Sequence, residues 1–102
     1  MSKQHHYLKT VSPFFMDIYD EKKTFEVRRN DRNFQIGDVL HLQEFIPPET
    51  YTGREIRADI TYILDDERFC KEGYVVMGID VYAANFITES AAKSALEQEE
   101  QK

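Results

Sequence analysis

The run from Arg54 to Leu64 alternates between apolar and polar side chains, and it limits what this chain can fold into. Ile56, Ala58, Ile60, Tyr62 and Leu64 fall on one face; Glu55, Arg57, Asp59 and Thr61 fall on the other. Successive side chains of an extended backbone point to opposite sides, so the run predicts a β-strand with one face on a core. Such a strand must find partners for its backbone N–H and C=O groups. The neighbouring sequence supplies candidates. His6–Val11 alternates as a short strand, Thr24–Arg28 and Val39–Phe45 follow the same period, and Tyr74–Val81 is nearly apolar on both faces. The last of these predicts a central or barrel-closing strand.

One helix is expected among them. Ser12-Pro13 offers a capping hydroxyl followed by a proline suited to the first helical position. Phe14, Phe15, Ile18 and Tyr19 then share a helical face, with Asp17 early and Lys22 and Lys23 near the end. Turn residues at Asn30–Asn33, Gly37-Asp38, Asp65–Arg68 and Gly73 separate the strands, and Pro47-Pro48 ends one, with a loop expected from Pro47 to Arg54. Five strands with one early helix and hairpin-length later links predict an α+β domain. Its sheet is expected to be strongly curved, mostly antiparallel, and closed to hide its edges. Residues 1–87 form this domain, and 88–102 read as a charged, marginally helical tail.

Seven Phe and six Tyr within 102 residues allow one packed core without metal or disulfide staples. Cys70 is the single cysteine and has no internal partner. With no apolar run near the roughly 18 residues of a membrane span and no signal peptide, a cytoplasmic protein with no membrane partner is expected. The histidines His5, His6 and His41 and the lone Cys70 lack metal-ligand spacing, with His5-His6 read as a terminal pair and His41 as isolated, and the four glycines form no phosphate loop. No metal and no cofactor are therefore expected.

A net charge of −6 argues against broad, non-specific nucleic-acid binding. The cations are nevertheless clustered: Lys22, Lys23, Arg28, Arg29 and Arg32 crowd one segment, opposed there by Glu26 and Asp31. Glu26 and Arg28 lie two apart on a strand and project to the same side, roughly 7 Å apart at the backbone. Lys23 stands at the helix-to-strand corner beside them. The arrangement reads either as a cradle for a phosphate or base edge, or as a same-face ion pair on an exposed strand.

Glu21-Lys22-Lys23-Thr24-Phe25-Glu26-Val27-Arg28 resembles the ASCH signature Gly-x-Lys-x-x-Glu-x-Arg, which follows a short helix. The Lys, Glu and Arg match in spacing, and Glu21 stands in place of the glycine. Lys22–Arg32 with Phe34–Leu40, and later Tyr51–Glu55 and Gly73–Ile79, look like blocks of one ASCH-like family of unknown function among small bacterial and phage proteins. The resemblance implies a PUA-like barrel with a cleft beside the helix that binds RNA or a nucleotide. Carried over by position, it puts Lys23, Glu26 and Arg28 along that cleft, with Arg29 and Arg32 added from the basic cluster. If Glu21 occupies a left-handed cap conformation, that costs on the order of 1 kcal/mol relative to glycine, and the fold inference survives it. An enzymatic branch of the same superfamily removes acyl groups from acetylated cytidine with a Lys, a Thr and a Glu. Here the Lys matches Lys23, the threonine position holds Glu26, and Thr24 lies two residues early. Asp59 and Glu72 are loose candidates for the distant Glu. Three functions follow as expectations: an RNA- or nucleotide-binding module, an amidohydrolase on an acylated nucleoside, and a protein-interaction accessory domain of phage origin whose partner contacts the acidic tail.

Overall fold

A computed structural model describes residues 3–86, and its strands follow the alternation of the sequence. The elements are β1 (His5–Thr10), α1 (Phe14–Tyr19), β2 (Phe25–Arg29), β3 (Val39–Ile46), β4 (Thr50–Leu64) and β5 (Tyr74–Asn85). They form one five-stranded sheet in the order β1-β3-β4-β5-β2, curled into a half-barrel. The pairs β3–β4, β4–β5 and β5–β2 are antiparallel; β1 runs parallel to β3. The tail beyond residue 87 lies outside the described residues.

Several expectations need correction. The sheet does not close: β1 and β2 are its two edges. The connection through α1 separates them, and they meet through side chains rather than a backbone ladder. The segment read as a loop after Pro47-Pro48 is already strand from Thr50, because Ile46 pairs with Thr50 and Phe45 with Tyr51 in a tight hairpin. β5 continues beyond Val81 to Asn85, drawn on by the long partner strand β4. Register shifts between Arg57 and Ala58 and between Ile60 and Tyr62 break the even alternation of β4. Ile56, Ala58 and Ile60 enter the core as predicted. Past the second shift Ile63 packs on the core, while Tyr62 stands 63% exposed.

The helix is shorter than its aromatic pattern suggests. Pro13 itself occupies the cap position and no side chain caps the helix, so the capping role expected of Ser12 is not taken up. Six residues offer only one buried stripe: Phe15 and Ile18 are buried against Leu40, Leu42, Ile56 and Met77, while Phe14 and Tyr19 stay about half exposed. Lys22 and Lys23 fall beyond the last turn, which holds no basic residue, so they do not serve the helix dipole. The helix ends instead on backbone bonds. Lys22 N donates to Asp17 O at 2.9 Å and Glu21 N to Ile18 O at 3.1 Å, a Schellman closure with Glu21 at φ 63°. Glu21 therefore does stand in the left-handed conformation whose cost was weighed from the sequence.

His5 and His6 do not belong to a loose terminus; both are in β1. His6 is buried, and its Nε2 lies 2.9 Å from Asp38 Oδ2. Asp38 also accepts backbone N–H bonds from Gln4 and Gln35, which fastens β1 to the turn that opens β3. Burial pushes the Asp38 carboxyl up, but His6 and these two N–H groups outweigh it and hold the group below its ordinary 3.8. At the other end of β3 the Arg54 guanidinium, opposed by burial and helped by the Thr52 hydroxyl, holds Glu44 below its ordinary 4.5.

Glu21→Gly removes the left-handed penalty and raises stability by about 1 kcal/mol in urea denaturation; no gain would mean that the cap geometry is not strained. A carboxyl with a depressed folded-state pKa adds stability that is present above its unfolded value and lost as pH falls through the folded one. The fold therefore weakens as pH drops below the ordinary range of Asp38 and Glu44. Asp38→Asn lowers stability at neutral pH and shallows this acid slope, and an unchanged slope in a pH series of thermal melts would place its origin elsewhere.

Candidate functional site

The open seam between β1 and β2 is where polar chemistry gathers. Strand edges carry unpaired backbone groups, which must be answered by something. On β1, Gln4 O accepts from Val39 N, so by alternation the odd-numbered residues direct their backbone groups into the seam. Tyr7 O accepts from Arg32 Nη1 at 2.7 Å and Lys9 O from Arg28 Nη1 at 2.9 Å. On β2, Thr24 O and Asn30 N bond to Ile79 and Gly73, which turns the groups of Phe25, Val27 and Arg29 outward. Phe25 O accepts from Lys23 Nζ at 2.6 Å. Cationic side chains thus stand in for part of the missing ladder.

Glu26 organises them. The alternation of β2 reads Phe25 and Val27 as one face and Glu26 and Arg28 as the other, and it is the polar face that turns inward. Glu26 is 2% exposed, whereas Phe25 and Val27 are 43% and 50% exposed. A carboxylate this deep is tolerable only with charged, hydrogen-bonded partners. Lys23 Nζ donates to Oε1 at 2.6 Å and Arg28 Nε to Oε2 at 2.7 Å. Arg28 Nη2 then donates to the buried Thr10 Oγ1 at 3.1 Å, and Thr10 donates to Leu8 O at 3.3 Å. One buried carboxylate therefore aims two cations that tie β2 to β1 and to the helix corner.

Over this network lies a cleft of about 540 Å³. Its polar lining is Lys22, Lys23, Glu26, Arg28, Thr10 and Asp17, and its apolar lining is Val11, Phe14, Phe25 and Val27. Lys23 Nζ sits 4.9 Å from the Phe25 ring centroid and 5.7 Å from that of Phe14. Lys9 also borders the cleft, with its ammonium over the Phe45 ring. The arrangement can hold a flat, anionic or polar molecule, with aromatic rings and N–H donors in the same lining.

Of the five residues singled out from sequence, Lys23, Glu26 and Arg28 line this cleft. Arg29 lies outside its lining, over the Tyr74 ring at 5.7 Å, and Arg32 reaches across the seam to Tyr7 O while pairing with its chain neighbour Asp31 at 3.7 Å. Thr24 is exposed and does not line the cleft, and Lys23 is already a double donor. Sequence reasoning missed Phe14, Phe25 and Thr10 as cleft residues. The sequence groups Phe14 with a helical face and Phe25 with a strand face, and nothing in the spacing tells an outward aromatic from an inward one. It also missed that His41, read as isolated, meets two residues of β1: His5 Nδ1 lies 2.8 Å from His41 Nε2, and Tyr7 stacks on its ring at 4.3 Å. Among the described residues no group of His, Cys, Asp and Glu is arranged to hold a metal, and half-buried Cys70 donates to Leu64 O. No helix among them is long and apolar enough to cross a membrane.

Residues 5–79 match the model of the family described as Domain of unknown function (DUF3850). The chain is also similar to the "Uncharacterized 12.9 kDa protein in GpA 3'region" of Escherichia phage P2, at 35% identity over 65 residues. That alignment covers 64% of this chain and 59% of the phage protein, less than two thirds of its length.

Glu26→Gln tests the network. It removes the one negative charge that Lys23 and Arg28 share and leaves a single carbonyl acceptor between them; since both cations remain partly exposed, the cost is about 1–3 kcal/mol in urea denaturation. Amide exchange at Lys9 and Val11 rises with it, because Arg28 no longer holds the seam. Unchanged stability and exchange would show that Glu26 organises nothing.

Proposed function

The chain belongs to the DUF3850 family, and we propose that the cleft at its open seam is a binding site for a nucleotide or an unpaired RNA base. The observation that carries this reading is the juxtaposition of two outward phenylalanine rings, Phe14 and Phe25, with the ammonium of Lys23. Base stacking on an aromatic ring is worth about 1–3 kcal/mol and tolerates any base. Lys23 retains a third N–H beyond its bonds to Glu26 and Phe25 O, and exposed Lys22 stands beside it for a phosphate. A cleft of about 540 Å³ suits one nucleotide.

We read the half-barrel itself as the ASCH branch of the PUA-like fold. The support is positional: Lys23, Glu26 and Arg28 share one cleft beside the helix, and Glu21 is left-handed where the signature carries glycine. The hydrolase reading draws less from the geometry. Lys23 Nζ is already committed to Glu26 Oε1 and Phe25 O rather than to any hydroxyl. Thr24 lies outside the cleft.

An NMR titration of the labelled protein with nucleotides, nucleosides including acetylated cytidine, and a short single-stranded RNA tests the proposal. Saturable shifts are expected at Phe14, Lys22, Lys23, Phe25 and Val27. Phe14→Ala weakens every ligand by about 1–3 kcal/mol, and Lys22→Glu weakens phosphate-bearing ligands while sparing nucleosides. Acetate release would move the assignment to hydrolysis. Absence of shifts with every ligand, or shifts confined to another face, would sink it.

A further inference from the structure

Most polar side chains of the cleft are already claimed by neighbours. Both Glu26 oxygens are held by Lys23 and Arg28, and Thr10 Oγ1 accepts from Arg28 while donating to Leu8 O. Lys9 Nζ lies over the Phe45 ring. Asp17 is different. Its backbone carbonyl accepts from Lys22 N and Lys23 N, at 2.9 and 3.0 Å, but its carboxylate has no hydrogen bond and no ion pair among the described residues. It lies half-buried in the cleft lining all the same. An acid in the first turn of α1 suits the helix dipole, but a fully exposed carboxylate would serve that role equally well.

Asp17 is thus the one side-chain acceptor of the cleft left open, and an acceptor drawn partly out of water without a donor carries a cost that a ligand can relieve. It stands three residues after Phe14, so the two share one side of α1. A base stacked on the Phe14 ring meets the surroundings of that ring with its edge. Lys22 has no partner among the described residues and remains open to an anion.

Few base edges fit a carboxylate. Guanine sets N1–H and its N2 amino group side by side, two donors for two oxygens in a bidentate pair. Hypoxanthine lacks the amino group. Adenine and cytosine place a ring-nitrogen lone pair beside theirs, and uracil flanks its single N–H with two carbonyls. Each of these three turns an acceptor toward an acceptor. Resting on the reading of the cleft as a nucleotide site, we propose that Asp17 selects guanine. Its carboxylate takes the N1–H and N2–H donors of the base, while Lys22 and the third N–H of Lys23 take the phosphate. Because a carboxylate repels phosphate, the same residue also fixes which end of the nucleotide lies beside the helix.

Isothermal titration with GMP, IMP, AMP, CMP and UMP tests the selection, with Asp17→Asn and Asp20→Asn beside the parent chain. GMP should bind most tightly, with IMP and AMP each weaker by about tenfold or more, since a hydrogen bond to a charged group is lost. Asp17→Asn should weaken GMP by about tenfold and bring AMP level with it or above, because a side-chain amide accepts from the adenine amino group and donates to its ring nitrogen. Retained AMP binding also shows that this variant is folded. Asp20→Asn removes the same charge at the exposed end of α1, outside the cleft lining, and should leave the ranking as it is. Equal affinity for all five nucleotides, preference for another base, a ranking unmoved by Asp17→Asn, or the same change on Asp20→Asn overturns the selection and leaves the cleft reading intact. Binding of no nucleotide, or binding that Phe14→Ala does not weaken, overturns that reading and the selection with it.

Discussion

The structure depends most on one buried carboxylate. Glu26 sits in the sheet interior with its two oxygens claimed by Lys23 and Arg28. Ions of this kind are not retained for net stability, since an apolar replacement of like volume often does as well. What Glu26 supplies is direction. It fixes Arg28 where the guanidinium can answer Lys9 O and Thr10 Oγ1 on the opposite edge. It also fixes Lys23 at the corner where α1 turns into β2. Backbone pairing cannot link β1 to β2, so the half-barrel is joined at its seam through side chains that this carboxylate orients.

That choice reverses the usual sense of β2. With Glu26 and Arg28 inside, Phe25 and Val27 must face out, because the side-chain period of a strand is two. The inversion places apolar surface where solvent would otherwise lie. Phe25 borders the cleft on one side, and both residues form apolar rows with β5 and β4 on the other. The cleft and this outer face are therefore two consequences of one register, fixed by the need to pair a buried charge.

Much of the architecture was legible in the sequence. The alternation of Ile56, Ala58 and Ile60, the proline stop at Pro47-Pro48, the five strands and the early helix are all local signals, and each is present. The position of the cap at Glu21 was marked by the signature's glycine, but its left-handed conformation was only a condition to be checked. The parallel pairing of β1 with β3, the open seam and the bulges in β4 were not legible, because they depend on which strands meet. Lys23, Glu26 and Arg28 could be grouped from spacing alone, but their side of the sheet could not. Binary patterning assigns Phe25 and Val27 to the core and Glu26 to solvent; only the neighbouring cations and the edge of β1 reverse it. The partnership of His5 with His41 was invisible for the same reason, since 36 residues separate them.

The charge balance bears on what the cleft can hold. At physiological ionic strength a charge is felt over about 8 Å, so a bound phosphate senses Lys22 and Lys23 rather than the net −6 of the chain. A long polyanion does not have that protection. Its further phosphates would run from the cleft onto a surface with more carboxylates than cations, and each gains little or is repelled. Long-range attraction, which speeds nucleic-acid capture by basic proteins, is also absent. On the proposed reading the cleft discriminates by stacking and short-range donors, and a single nucleotide or a chain end is the ligand it would favour over a continuous strand.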